Sequence, residues 1–149
     1  MNPESRLHLE VKIADVGQEV YAGRCFSLVA PAALGQVCIL PRHAPFLTKL
    51  LPGEIRLETV DSENLFYYVS GGYLEVKDSA VTVLADRMLR SAEIDQEAAL
   101  TAKAKAEELL RASLVESERD AARLDLLKAL AQLQVLQHVD MARLRKHGR

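Results

Sequence analysis

Every proline in this chain of 149 residues, and six of its seven glycines, lie at or before Gly72. From Tyr73 to His147 neither residue occurs. Glycine and proline punctuate regular structure, so this change divides the chain in two. A turn-rich front is followed by an unbroken run of helix formers: Ala, Leu, Glu, Lys, Arg and Gln. Residues 1–90 are expected to form a β-domain and residues 91–149 a helical arm.

The front reads as closely spaced strands. Leu7, Leu9, Val11 and Ile13 alternate with His8, Glu10 and Lys12, the period of a half-buried strand. Phe26, Leu28 and Ala30 continue the pattern, and Val37 to Leu40 is a short apolar run stopped by Pro41. Ile55, Leu57 and Thr59 alternate with Glu54, Arg56 and Glu58; after a turn cluster at 61–64 comes Leu65 to Val69. Tyr73–Val76 and Val81–Ala85 flank Lys77-Asp78-Ser79. Such spacing predicts an antiparallel sandwich or barrel. With no helix-length crossover between strands, parallel pairing is not expected. Cys25 and Cys38 both fall in predicted strands and read as buried small hydrophobes in a reducing compartment.

Asp95 is suited to cap a first helix, whose stripe is Ala99, Ala102, Ala106, Leu109 and Leu110. The stretch Ser113–Ser117 weakens the helix, and Ser117 with Asp120 resembles a capping box opening a second one. There Ala122, Leu126, Ala129, Leu133 and Leu136 recur at spacings of four and three, with Leu130 beside them. This predicts an antiparallel hairpin with small residues facing. Facing alanines bury little area, so the pair is expected to be weakly held and separable.

Composition and motifs exclude most chemistry. A net charge of -2 lacks the basic footprint of a nucleic-acid protein. No signal peptide is read at the start, and no apolar run approaches the ~20 residues of a membrane span. A cytosolic protein, bound to a membrane only through partners, is expected. There is no phosphate loop and no nucleophile elbow. Ser70-Gly71-Gly72 precedes a strand and reads as a tight bend. His8, His43, His138 and His147 are scattered without partners at metal spacing, and Glu107-Glu108 fits a solvated face. Neither a catalytic site nor a cofactor is expected. The basic end, Arg143 to Arg149, reads as a solvated tail whose cations suit a helix carboxyl terminus. Pro41-Arg42-His43-Ala44-Pro45 stands apart as a stiff charged loop, either a rigid turn or a docking loop.

From that loop outward the chain resembles a known family. Residues 35–48, Gly-Gln-Val-Cys-Ile-Leu-Pro-Arg-His-Ala-Pro-Phe-Leu-Thr, resemble the Gly-Glu-Leu-Gly-Ile-Leu-Pro-Gly-His-Ala-Pro-Leu-Leu-Thr segment of the epsilon subunit of bacterial F-type ATP synthases. The match continues through Pro52-Gly53-Glu54-Ile55, Tyr68–Val76 and Val81–Asp86, in order and without gaps. The resemblance implies a ten-stranded β-sandwich followed by the two-helix hairpin, an α+β chain. It implies a non-catalytic place in the central stalk, beside gamma and on the ring of c subunits, peripheral on the cytoplasmic face of the bacterial plasma membrane. It also implies an arm that restrains ATP hydrolysis when raised towards the alpha and beta catalytic subunits. Gln36, Arg42 and His43 become candidates for the ring contact; Arg111, Arg119, Arg123 and Lys128 become candidates for the catalytic head. Gln36, Cys38 and Arg42 depart from the family's usual Glu, Gly and Gly.

Two other readings are a nucleotide-sensing module whose hairpin closes on ATP, and a free-standing adaptor with a coiled arm. Some relatives bind ATP through Ile-Asp-x-x-Arg-Ala; here Ile94 and Asp95 survive, but Ala98 replaces the arginine. The guanidinium that would grip phosphate with two hydrogen bonds is gone. Calorimetry with ATP is therefore expected to show weak binding or none, and micromolar affinity would contradict this.

Overall fold

A computed structural model describes residues 6–148; residues 1–5 and Arg149 of the basic end lie outside the described residues. Nine strands come first: β1 (Leu9–Asp15), β2 (Gln18–Ala32), β3 (Gly35–Ile39), β4 (Phe46–Leu50), β5 (Gly53–Thr59), β6 (Asn64–Val69), β7 (Gly72–Lys77), β8 (Ala80–Ala85) and β9 (Met88–Arg90). A 3-10 turn, Ser91–Glu93, leads to α1 (Gln96–Ala112) and α2 (Glu116–His147).

Two layers share one strand. The first carries β4, β7, β8 and β1 with the opening half of β2. The second carries β3, the closing half of β2, β5, β6 and β9. The register of β2 slips between Cys25 and Ser27, a bulge that bends the strand from one layer into the other. This is why nine strands stand where the family resemblance implies ten: one strand of 15 residues serves both layers. The inner faces meet in a core that includes Leu9, Val11, Leu28, Ile55, Leu57 and Val83.

Two expectations change. β1 runs parallel to β8, with Val11 opposite Val81. The pair needs no helical crossover because six strands separate its members along the chain. Cys38 is exposed rather than buried: it points outward on β3, while its neighbour Ile39 fills the core. Cys25 is buried as expected, and burial pushes its thiol pKa up, with the Tyr21 hydroxyl, 3.4 Å away, opposing that rise.

Asp95 caps α1: its Oδ1 accepts from the Ala98 N–H at 3.0 Å. The second cap is not where the sequence places it. α2 begins at Glu116 with Val115 as its cap residue and no side-chain cap bond. Ser113, two residues earlier, organises the turn by accepting from the Val115 N–H and donating to Glu118 at 2.6 Å. Ser117 and Asp120 are already inside the helix.

The hairpin seam is thin. Ala99 and Ala106 of α1, and Ala122 and Ala129 of α2, are buried, each pair seven residues apart as in a heptad seam. Ala102, Leu109 and Leu130 stay exposed. α2 also carries a second face: Ala131 and Val135 are buried against Tyr68 and Ile94, with Phe66, Leu89, Val139 and Leu136, the last expected in the seam between the helices, half-buried around them. That face lies on the outer surface of β5 and β6 and seats the hairpin on the sandwich.

Ser70 and Gly71 form the tight bend expected, leading into β7. Gly72 has φ +136°, and a Cβ there would collide with the Leu84 carbonyl and lie 2.8 Å from the Ala85 Cα. Gly35 has φ +129° but open space around it. Gly72→Ala is expected to cost more than about 3 kcal/mol in urea unfolding, and Gly35→Ala about 1–2 kcal/mol, since only strain acts there. Equal losses would refute the steric account of Gly72.

Candidate interaction surfaces

The two outer faces of the sandwich are treated differently. The β5–β6 face is covered by α2. The outer face of β4, β7 and β8 is bare, and it carries large apolar side chains: Tyr73 is 56% exposed, Leu84 59% and Leu47 70%. Tyr73 and Leu84 are direct cross-strand partners, with Lys49 beside Tyr73 on β4. Strand alternation puts all of these outward because Leu50, Leu74 and Val83 point into the core. An apolar patch on a sheet face marks a contact surface. The sequence held the signal: Tyr73 and Leu84 occupy the outward register of strands whose inward register is already apolar.

The 40–45 loop is rigid. His43 N–H donates to the Leu40 carbonyl at 3.1 Å, its Nδ1 lies 2.8 Å from the Ala44 carbonyl, and its ring centroid is 5.7 Å from that of Phe46. Arg42 is exposed with φ +67°, a left-handed conformation. Glycine adopts that conformation without penalty, which accounts physically for the family's usual residue there. The Arg42 N–H donates to Ser79 Oγ at 3.0 Å, tying the loop to the β7–β8 turn. Arg42 and His43 therefore sit together. Gln36 does not join them: it lies at the other end of β3, in a cleft with Pro52, Leu127 and Gln134 beneath α2.

The helical bases also divide. Arg119 is spent inside the hairpin, donating through Nη1 to the carbonyls of Leu110 and Ser113 at the carboxyl end of α1. Arg123 pairs with Asp120 at 2.7 Å, one turn away. Arg111 is exposed, and Lys128 lines a groove between the helices and the sandwich. Ile94 and Asp95 both have structural duties, Ile94 buried under α2 and Asp95 as a cap. Ala98 is exposed at the rim of the Lys128 groove. Among the described residues no cluster of His, Cys, Asp or Glu is placed to hold a metal. No helix there is long and apolar enough to cross a membrane.

Sequence reading missed the pairing of Glu54 with His138. Glu54 points away from the core on β5, and its side chain is 7% exposed beneath α2. His138 Nδ1 lies 2.8 Å from both of its carboxylate oxygens. Burial raises the Glu54 pKa, opposed by the hydrogen bond and charge of His138 and then by the charge of Arg56. Residues 84 apart in the chain give no local signal of such a pair.

The fold is a β-sandwich with one bare apolar face and one face covered by a two-helix hairpin. Residues 8–91 match the family model described as the β-sandwich domain of the ATP synthase delta/epsilon chain. The ATP synthase epsilon chain of Halorhodospira halophila is 47% identical over 130 residues, covering 87% of this chain and 92% of that one. That of Nitrosomonas europaea is 39% identical over 141 residues, covering 95% and 96%. Among solved structures, a chain of the Euglena gracilis mitochondrial ATP synthase (OSCP/F1/c-ring) superposes with a TM-score of 0.78 at 19% identity, covering 87% of this chain and 81% of that one. A chain of the Tetrahymena thermophila mitochondrial ATP synthase (central stalk/c-ring) gives 0.59 at 13% identity, covering 86% and 96%. The chain belongs to the ATP synthase epsilon-chain family, whose members are non-catalytic subunits.

Arg119→Ala is expected to destabilise the hairpin by about 1–3 kcal/mol, because two carbonyls lose a charged donor. Arg123→Ala is expected to stay within about 0.5 kcal/mol, as an exposed pair contributes little. Helix content followed by circular dichroism during urea unfolding reads both, and equal effects would contradict the assignment.

Proposed function

We propose that this chain is the central-stalk subunit of a proton- or sodium-translocating F-type ATP synthase, coupling rotation of the c ring to the catalytic head. The sandwich, residues 1–90, is the mount; the hairpin, residues 91–149, is an arm that restrains ATP hydrolysis. The observation that carries this reading is the asymmetry of the sandwich, apolar and bare on one sheet, covered by a weakly seated hairpin on the other. The fully buried aliphatics between hairpin and sandwich are few, Val135 foremost, and each such side chain contributes only about 1.5–3 kcal/mol. An arm held that weakly can leave and be recaptured.

In this reading Tyr73, Leu84 and Leu47 seat the mount on the gamma subunit. Arg42 and His43 meet the polar loops of the c ring from the tied loop at the other side of β3 from Gln36. Gln36 is better placed to sense the docked arm than the ring. Of the helical bases, Arg111 and Lys128 are free to meet acidic segments of the catalytic subunits, whereas Arg119 and Arg123 must first give up partners within the hairpin. The subunit is peripheral on the cytoplasmic side of the membrane, bound through the complex alone, and takes neither nucleic acid nor cofactor. The relatives named epsilon chain and the stalk and c-ring assemblies that share the fold support this placement.

Removing residues 95–149 from the assembled enzyme is expected to raise ATP hydrolysis about five-fold or more with synthesis retained, the range of an ordinary regulatory coupling. Unchanged hydrolysis would reduce the arm to a structural one. Leu84→Glu in the full chain is expected to weaken capture of gamma and the catalytic subunits by about 2 kcal/mol or more while leaving the isolated fold intact. Undiminished capture would remove the bare face from the interface.

A further inference from the structure

Glu54 is the single charged residue buried among those described. It does not belong to the sandwich core, which its neighbours Ile55 and Leu57 fill. It is buried only because α2 lies over it, and its one hydrogen-bonding partner, His138, is on α2. A carboxylate taken out of water is costly unless it is paired, and here arrival of the arm both buries the charge and brings the partner. The pair is thus made and broken with arm docking. The His138 ring is held from the side by Phe66, centroids 5.7 Å apart, so it meets the carboxylate in a fixed orientation.

We propose that Glu54 and His138 form a proton-operated latch, which tightens the hairpin on the sandwich as pH falls and loosens it as pH rises. His138 Nδ1 lies 2.8 Å from both oxygens, and an imidazolium holds a carboxylate more strongly than a neutral ring does. Burial also lifts the Glu54 pKa when the arm is docked. A carboxyl whose pKa is raised on docking favours docking below its ordinary range, and that advantage is lost as pH rises through the raised value.

On β5, Arg56 favours the ionised carboxylate. On β6, the Tyr68 phenol stands opposite Glu54, and burial, its largest influence, raises its pKa. The cleft at the end of β2 and β3 presents Pro31, Ala32 and Gln36, without charge, and α2 adds Leu127 and Gln134. Beyond the His138 ring opens a groove lined by Arg56, Arg90, Arg143, Arg145 and Lys146. Of these, only Arg56 acts on the Glu54 carboxyl, and the net direction there is still upward, so burial prevails.

The latch rests on reading the hairpin as a separable arm, and its test reads arm position on the isolated full-length chain, independently of hydrolysis. In a Cys38→Ser background, spin labels at Asp61→Cys and Gln137→Cys report the distance from sandwich to α2. The open fraction is expected to rise about five-fold between about pH 4.5, the ordinary carboxyl value, and about pH 7. Glu54→Gln keeps the shape and an acceptor but removes the charge, and is expected to flatten that rise to below about two-fold. His138→Ala is expected to open the arm at both pH values. A wild-type pH response persisting in Glu54→Gln, an unchanged docked fraction in His138→Ala, or no opening in any variant would overturn the proposal.

Discussion

α2 must bury two faces at once, and both are thin. One meets α1 through Ala122 and Ala129; the other meets the sandwich through Ala131, Val135 and their half-buried neighbours. A helix of 32 residues, about 48 Å long, would ordinarily hold its place with a continuous apolar stripe. Here the apolar positions are divided between two contacts, so neither is strong. The hairpin has a defined seat, held by little buried apolar area.

The sandwich is built in the opposite way. β2 passes from one layer to the other, and β1 closes against both β2 and β8, so the first layer is tied into the second by covalent continuity and by backbone hydrogen bonds. Gly72 lets β7 approach β8 closely at that corner. Rigidity there leaves the outer face of β4, β7 and β8 as a fixed platform, with Tyr73 and Leu84 presented rather than buried. Stiffness in the sandwich and looseness in the hairpin come from the same rule: the area of apolar surface each packs away.

Much of this was legible in the chain. Alternation in Leu9–Ile13 and Ile55–Thr59 located their strands and gave the inward residues, because period two leaves no freedom about which face is apolar. Asp95 announced its cap because a cap is a local interaction. The start of α2 was misread because Ser117 and Asp120 have the spacing of a capping box, yet Ser113 competes for the same turn and wins by reaching both Val115 and Glu118. β4 and β9 gave little periodicity, being five and three residues long, and exist through pairing with β7 and β6. Of the candidate contact residues, Arg42 and His43 share a loop, while the separation of Gln36 from them required knowing which way β3 runs.

The amino-acid sequence determined the division into strand-forming and helix-forming parts, the small-residue hairpin and the lack of phosphate-binding or nucleophile motifs, since each follows from propensity, periodicity or local spacing. Only the tertiary structure decided that β1 lies parallel to β8, that α2 covers β5 and β6 while the opposite face stays bare, and that Glu54 meets His138. Those are pairings of distant segments. They are set by how two layers and a hairpin share a limited apolar surface, a balance that no stretch of sequence contains.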